Sequence, residues 1–595
     1  MVKGQGIRRD RFTGAMFLRG WIPALASSIG WSLSDIADAV VVGQHLGTVG
    51  LAAISLILPV YMINCAIVHG LGTGGSARYA ALMAQGKRKE ASRHAAGIGV
   101  AGLLFSLLTA VLGLVFLTPL LKLLGTVPEN GAVFDATRDY LRIQLAATPL
   151  FYFANLFNYY LRNDGKERQA GIGSVTGNFV DMALNVILVL ALKKGTGGAA
   201  LATAIGQVIS IAIYLPGILS GSRRNRSAGA ESGTRSLLRT AVVWLRIGLH
   251  DLFEGLSVSI QYLLQMVFLL LCNHLLLHLG GEEGIAVFDV LQNTSYLILY
   301  LYEGTARAMQ PVASTYYGEK NEQGLRSLFR IGFTAGIGAG LIVILLAVIR
   351  PQILCLLFGL AGSGAEALAC TAIRIFAFGA FFAGISILLC NFFQATGDPR
   401  WALLLEFLRG SLVLLPVTLL CSSWGLEGFW WLFPITDISS LVILMLWMRI
   451  RRKPLIVDRM IAPERVFRRT IPSTATEIGQ ASEDLEEFCD RWEATPRQKF
   501  AVMNTVEELG IAILNHGFEG RKDGYIQITV LAAEGGCFEL HLRDDAVRFN
   551  PFSLKGGDIR VSEDLDATGM LLIRKQAKDF SYRHFQGFNT LIISV

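Results

Sequence analysis

Long apolar runs separated by short polar stretches fill the chain as far as about Leu446. A run of about 20 mostly apolar residues is long enough to cross a bilayer as an α-helix. Twelve such runs can be placed, centred near residues 28, 60, 105, 150, 183, 208, 262, 295, 338, 382, 410 and 438. Several contain proline, among them Pro23, Pro59, Pro149 and Pro311. Kinked helices persist in membranes where neighbours satisfy the freed backbone groups. From about Glu464 the pattern changes. Residues 525–530 and 538–543 alternate as strands do, 590–595 reads as a last strand, and 498–516 reads as an amphipathic helix. The expected fold is an all-α polytopic membrane domain of twelve helices followed by an α/β sandwich.

Composition supports this division. Hydrophobic residues make up 52% of the 595 and charged residues 17%, where a soluble chain carries nearer a quarter charged. A soluble enzyme, a disordered chain and a fibre are excluded. Lys and Arg gather in alternate loops: Arg78, Lys87, Arg88, Lys89 and Arg93; Arg162, Lys166 and Arg168; Arg223 to Arg239; Lys320, Arg326 and Arg330. That bias places these loops and both termini in the cytoplasm. The net charge of +7 then reports topology, and no nucleic-acid partner is expected. The basic start runs into the first apolar segment, so no cleavable signal is expected. The eight Cys show no metal-ligand spacing and are expected to be buried thiols.

The chain repeats itself. His45-Leu46-Gly47 through Ala53 matches His278-Leu279-Gly280 through Ala286, and Arg162 through Arg168 matches Gln394 through Arg400. Both pairs are offset by about 232–234 residues, or six spans. An even number preserves topology, so the repeats are parallel, and a cavity between two bundles is expected to open to either side by rocking. The divisions are residues 1–220 for the first repeat, 221–246 for a cytoplasmic linker, 247–453 for the second repeat and 454–595 for the tail.

A carboxylate inside a bilayer costs at least ~2.5 kcal/mol, so those that persist are candidates to hold a cation or proton. Asp35 and Asp38 lie close together on the first span, and neighbouring carboxylates raise each other's proton affinity. Asp181 and Asn185 lie one helical turn apart on the fifth span. Glu254 on the seventh span is a candidate to meet substrate or ion. Glu406 and Arg409 are spaced to pair with each other. Tyr61 and Tyr262 could line a cavity and hold a cation over their rings.

Asp38-Ala39-Val40-Val41-Val42-Gly43, Gly70-Leu71-Gly72-Thr73-Gly74-Gly75, Leu161-Arg162-Asn163-Asp164-Gly165, Gly197 through Thr203, Gln310-Pro311-Val312-Ala313 through Asn321 and Phe393-Gln394-Ala395-Thr396-Gly397 occur in order. Over about residues 15–450 the chain resembles the multidrug and toxic compound extrusion (MATE) family. The resemblance implies export of small cationic or amphipathic compounds by H+ or Na+ antiport. It puts Asp38 on the family's first-span Asp, implying a coupling switch there. The fifth span departs from the family. The usual order is Asn, then Asp four residues on; here Asp181 precedes Asn185. The alternatives left open are a flippase for lipid-linked or polar metabolites and a membrane-tethered sensor whose tail binds a protein.

The tail carries Val506-Glu507-Glu508-Leu509 with His516-Gly517-Phe518, then Leu542-Arg543-Asp544-Asp545-Ala546 and Gly569-Met570-Leu571. It is similar to the ATP-binding domain of the GHKL superfamily, in the anti-sigma-factor serine-kinase branch. The resemblance puts a general-base Glu at Glu508 and an adenine acceptor at Asp544. It expects an Mg2+-binding Asn where Ala512 stands, on one helical face with Glu508 and His516, and a Gly where Ala546 stands. Of the phosphate-binding glycines only Gly569 remains. Mg2+ requires oxygen ligands, so catalysis is expected to be lost, with ATP binding left open. The expected partners are a small-molecule substrate, the bilayer of a bacterial inner membrane and a cytoplasmic protein that binds the tail.

Overall fold

The computed structural model describes residues 2–84, 88–163, 166–226, 250, 256–456, 463–518, 521, 524–532, 537–551, 573, 577–585 and 588–595. The side chain of Asp35, residues Glu254 and Gly569, and most of the 221–246 linker lie outside this description.

The first repeat comprises α1 (Val2–Ala84), α2 (Arg88–Val115), α3 (Leu117–Leu124), α4 (Ala132–Asn163), α5 (Glu167–Asn185) and α6 (Gly195–Arg226). The second comprises α7 (Leu256–Gly318), α8 (Glu322–Ile349), α9 (Pro351–Leu357), α10 (Glu366–Ala395), α11 (Pro399–Phe407), α12 (Leu414–Ser422), α13 (Gly425–Phe429) and α14 (Leu432–Ile450). All the expected span centres fall in helix or in a π-helical continuation of one. Among the described residues nine helical stretches are long and apolar enough to cross a membrane, two of them 40 and 60 residues long.

Those two runs lie in α1 and α7, and each is really two helices joined without a loop. The break in α1 is at Gly47 (φ 59°, ψ −138°) and that in α7 at Gly281 (φ 58°, ψ −146°). Only glycine adopts this conformation without steric cost. The two breaks fall at the offset of the sequence repeat, so the duplication extends to backbone geometry.

Outward positions such as Val115, Ile342 and Ile450 are apolar and exposed, as a surface facing lipid requires. Inside the bundle small residues let helices approach. Tyr302 lies against Gly340 and Gly384, where a Cβ on either would overlap its ring.

The fifth span of each repeat contains a π-helical segment, Val186–Ala191 after α5 and Leu408–Leu412 after α11. The second corrects an expectation. Arg409 does not pair with Glu406. Its Nε donates to Asp437 Oδ1 on α14 at 2.6 Å, and Glu406 accepts from Gln394 at 3.5 Å. An i,i+3 contact presupposes an uninterrupted α-helix, and the change to π geometry after Phe407 turns Arg409 toward α14.

The tail holds β1 (Val466–Pro472), α15 (Ala475–Arg491), α16 (Pro496–Ala512), β2 (Tyr525–Ala532), β3 (Phe538–Asp544), β4 (Asp579–Phe585) and β5 (Phe588–Ser594). β1, α15 and β4 were not anticipated. The sheet order is β1-β2-β3-β5-β4, antiparallel throughout. α15 and α16 pack on one face through a core that includes Leu485, Val506, Ile528, Leu540 and Leu591. Thr495 and Gln498 form a reciprocal cap at the start of α16.

Candidate ion-coupling site

Asp38 lies on α1, a little before the Gly47 break. Asp181 and Asn185 lie on α5, one turn apart, and Thr203 on α6. The structure brings all four together. The Asn185 side-chain nitrogen donates to Asp38 Oδ1 at 2.5 Å and to Asp181 Oδ1 at 3.1 Å. Thr203 Oγ1 donates to Asp181 Oδ1 at 3.2 Å and lies 3.5 Å from Asp38 Oδ2. Asn185 is wholly buried.

Two local features place these groups. A Cβ on Gly206 would stand 2.7 Å from the Gly177 carbonyl and 3.0 Å from Asp181 Cβ. Glycine there lets α5 and α6 approach closely enough for Thr203 to reach Asp181. The π segment begins directly after Asn185, a type of irregularity often found at functional sites. Tyr140, buried on α4, lies within electrostatic reach of Asp38, Asp181 and Asp289 and within hydrogen-bond reach of Thr203. Asp289 comes from the second repeat, is buried, and accepts from Asn293 at 3.0 Å.

The duplication does not extend to this chemistry. Counted from the two breaks, Asp38 corresponds to Cys272, a buried thiol, and on the matched motifs it corresponds to Leu271, so on either count no carboxylate stands there in the second repeat.

Tyr61 and Tyr262 have aromatic neighbours. Tyr61 packs 5.5 Å from Phe151. Tyr262 stacks on His69 at 5.2 Å, and His69 Nδ1 is 3.0 Å from the Tyr159 hydroxyl. His69 and Tyr262 belong to different repeats, so this stack crosses the boundary between them.

In the tail, Asp544 Oδ1 accepts from Asn589 Nδ2 at 2.7 Å and from the Ala546 amide at 3.0 Å. Its Oδ2 is buried and has no hydrogen-bond partner among the described residues. Burial pushes this carboxyl up to about 7, against the hydrogen bonds that favour its charged form. Ala512 is wholly buried in the tail's core and offers no side-chain oxygen to a metal. The His516 ring lies 5.5 Å from that of Phe549, and Ala546 is buried close to Gly517. Among the described residues no group of His, Cys, Asp and Glu could hold a metal ion.

The sequence pattern of the MatE family matches residues 23–187 and again residues 256–420, more than half the chain. The chain belongs to the MatE family. The two matched segments are the two repeats. The pattern of a histidine kinase-like ATPase domain matches residues 471–595. The probable multidrug resistance protein YoeA of Bacillus subtilis is 25% identical over 347 residues, covering 56% of this chain and 71% of YoeA. The multidrug export protein MepA of Staphylococcus haemolyticus is 23% identical over 423 residues, 69% of this chain and 87% of MepA. Among solved structures, an inward-facing MATE family multidrug transporter has the same fold, with a TM-score of 0.59 at 23% identity over 71% of this chain and 94% of that one. The protein is thus a multi-pass MatE transporter with an ATPase-like domain fused after the last span.

Within this MatE chain, sequence reasoning had named Asp38, Asp181 and Asn185 but had given no role to Thr203, Tyr140 or His69. Thr203 closes one of the family-like stretches and Tyr140 opens another, Tyr140-Leu141-Arg142, and those were the available signals. Nothing in its own span marks His69. The significance of all three comes from what lies opposite.

Proposed function

We propose that this MatE transporter exports small organic compounds, cationic or amphipathic, by antiport against H+ or Na+. The two repeats rock to give alternating access, and the cluster around Asp38 carries the coupling. The observation behind this reading is the Asn185 amide, which joins Asp38 of one helix to Asp181 of another. Two carboxylates sharing a donor in a low-dielectric bundle are best compensated by a proton or small cation. Binding or release of that ion alters what holds α1 to α5, and a coupled transporter needs such a change.

Export of several small compounds is supported by the likeness to YoeA, a probable multidrug resistance protein, and to MepA, a multidrug export protein. The Lys- and Arg-rich loops support a bacterial inner-membrane protein with its tail and both termini on the cytoplasmic side. The tail is a regulatory module without turnover, since Ala512 and Ala546 replace groups that catalysis requires. A cytoplasmic protein is its natural partner. Gradient-driven export of ethidium from liposomes, with H+ and Na+ varied independently, tests the central reading. Full-rate coupled export by Asp38→Asn would sink the coupling assignment.

A further inference from the structure

The tail's sheet has a second face, turned away from α15 and α16, and it is occupied. Along β3, Phe538, Leu540 and Leu542 enter the tail's core, while Glu539, His541 and Arg543 point the other way. That face rests on the ends of α1 and α7. The Arg543 guanidinium pairs with Glu319, both side chains less than 5% exposed, and lies 5.5 Å from the Tyr316 ring centre. Arg468 on β1 donates to the Lys320 carbonyl. Phe588 on β5 meets Phe12 of α1 edge-on at 5.4 Å, with the Arg19 guanidinium 4.7 Å from its ring centre.

One surface of the tail therefore grips both repeats, α1 of the first and the end of α7 of the second. At the same level α1 packs on the second repeat. Thr13 and Tyr316 hydroxyls are 2.9 Å apart, Trp21 donates to Thr305 at 2.9 Å, and Gly14 faces Ile331. Beyond Pro23 the same helix carries Asp38, which is bound to α5 of the first repeat. α1 thus touches the second repeat at one end and the coupling cluster of the first farther along.

We propose that the tail is a brake on transport. Its sheet clamps the tail-side half of α1 to the end of α7 and so restrains the helix that carries Asp38. The proposal rests on the transporter reading above. When one repeat rocks against the other, a helix bound to both must change its grip on one of them. A contact made in one state alone shifts the equilibrium toward that state. The joint combines one buried ion pair, Arg543 with Glu319, and one apolar contact, Phe588 with Phe12. It is partly hollow, with a cavity of about 630 Å3 between Gln310, Ser314 and Thr315 of α7 and His541, Arg543 and Thr590 of the tail. Relative motion across an interdomain joint is the ordinary expectation unless the joint is large and apolar throughout.

The test uses the full chain with Cys537→Ser, reconstituted without substrate. Nitroxide labels are placed at Leu18→Cys on α1 and Arg326→Cys on α8, both exposed. The wild-type background should give one narrow distance distribution. Arg543→Ala and Phe588→Ala should each add a longer population, and Arg543→Glu with Glu319→Arg should withdraw it. Ethidium export under an imposed H+ or Na+ gradient should be faster in both single variants. Unchanged distances in both, or wider distances with export no faster, would overturn the brake. If Arg543→Ala loosens the tail itself, seen as lost amide protection in β2, the Phe588→Ala result decides. If distances widen but no variant exports any of a panel of organic cations, the clamp on α1 stands and the transporter reading falls.

Discussion

The side-chain amide of Asn185 on α5 donates to Asp38 on α1 at 2.5 Å, and Asp181, one turn away, shares the same nitrogen. The exchange of Asp and Asn on the fifth span, relative to the family's usual order, therefore leaves the polar network joined. The charge has moved by one turn while the bridge to α1 remains.

If this reading holds, restoring the usual order should be tolerated. The double variant Asp181→Asn with Asn185→Asp is expected to keep gradient-driven export. Asn185→Ala is expected to lose it. Removing a hydrogen bond to a charged group costs about 1.5–3 kcal/mol, and Asn185 supplies two, so the response to the coupling ion should shift by about a hundredfold or more. Export measured against a titration of Na+ and of pH checks both.

Gly206 should be sensitive to a single methyl group. Gly206→Ala places a Cβ against the Gly177 carbonyl and Asp181, forcing α5 from α6. A destabilisation of about 1–3 kcal/mol is expected, with Thr203 drawn away from Asp181. Gly171→Ala on α5, where a Cβ meets nothing, is the control. Thermal unfolding in detergent and export rates should separate the two.

Arg409 and Asp437 form an ion pair within the second repeat, with side chains 22% and 12% exposed. Arg409→Met alone should destabilise by about 3–5 kcal/mol, since it strands a buried carboxylate. Arg409→Met with Asp437→Leu should recover most of that loss. Glu406→Gln should have little effect on unfolding. A larger effect at Glu406 than at Asp437 would contradict the pairing.

Asp544 gives the tail a pH dependence. Burial raises its carboxyl from 3.8 to about 7, so the folded tail keeps a proton that the unfolded chain releases. Stability from this group is complete below 3.8 and lost as pH rises through about 7. The loss across that window is at most about 4 kcal/mol. Asp544→Asn should flatten the dependence. Amide exchange in β3, corrected for the intrinsic rate at each pH, is the measurement.

The purified chain is expected to show no Mg2+-dependent ATP hydrolysis above background, because Ala512 supplies no metal ligand. Measurable turnover, or phosphorylation of a protein partner, would overturn the assignment of the tail as non-catalytic. Nucleotide binding without turnover would leave that assignment intact.

Spans, repeats and the start of the tail were legible in the sequence because each is written in a local quantity. Bilayer thickness sets the length of an apolar run, and the period of alternation distinguishes strand from helix. A shared ancestry of the two halves shows as matched motifs, later found again in the paired breaks at Gly47 and Gly281. What the tertiary structure alone decided is which polar groups meet. Thr203 and Tyr140 join Asp38 and Asp181 only because close glycine packing and a π segment set the rotation and spacing of α5 and α6. Arg409 reaches Asp437 on α14 instead of its neighbour Glu406 because the helix between them changes geometry. The second face of the tail's sheet lies against α1 and α7, although no pattern along β3 names its partner. The rotation of one helix against another is a sum over many side-chain contacts from distant parts of the chain, and no single stretch of sequence carries it.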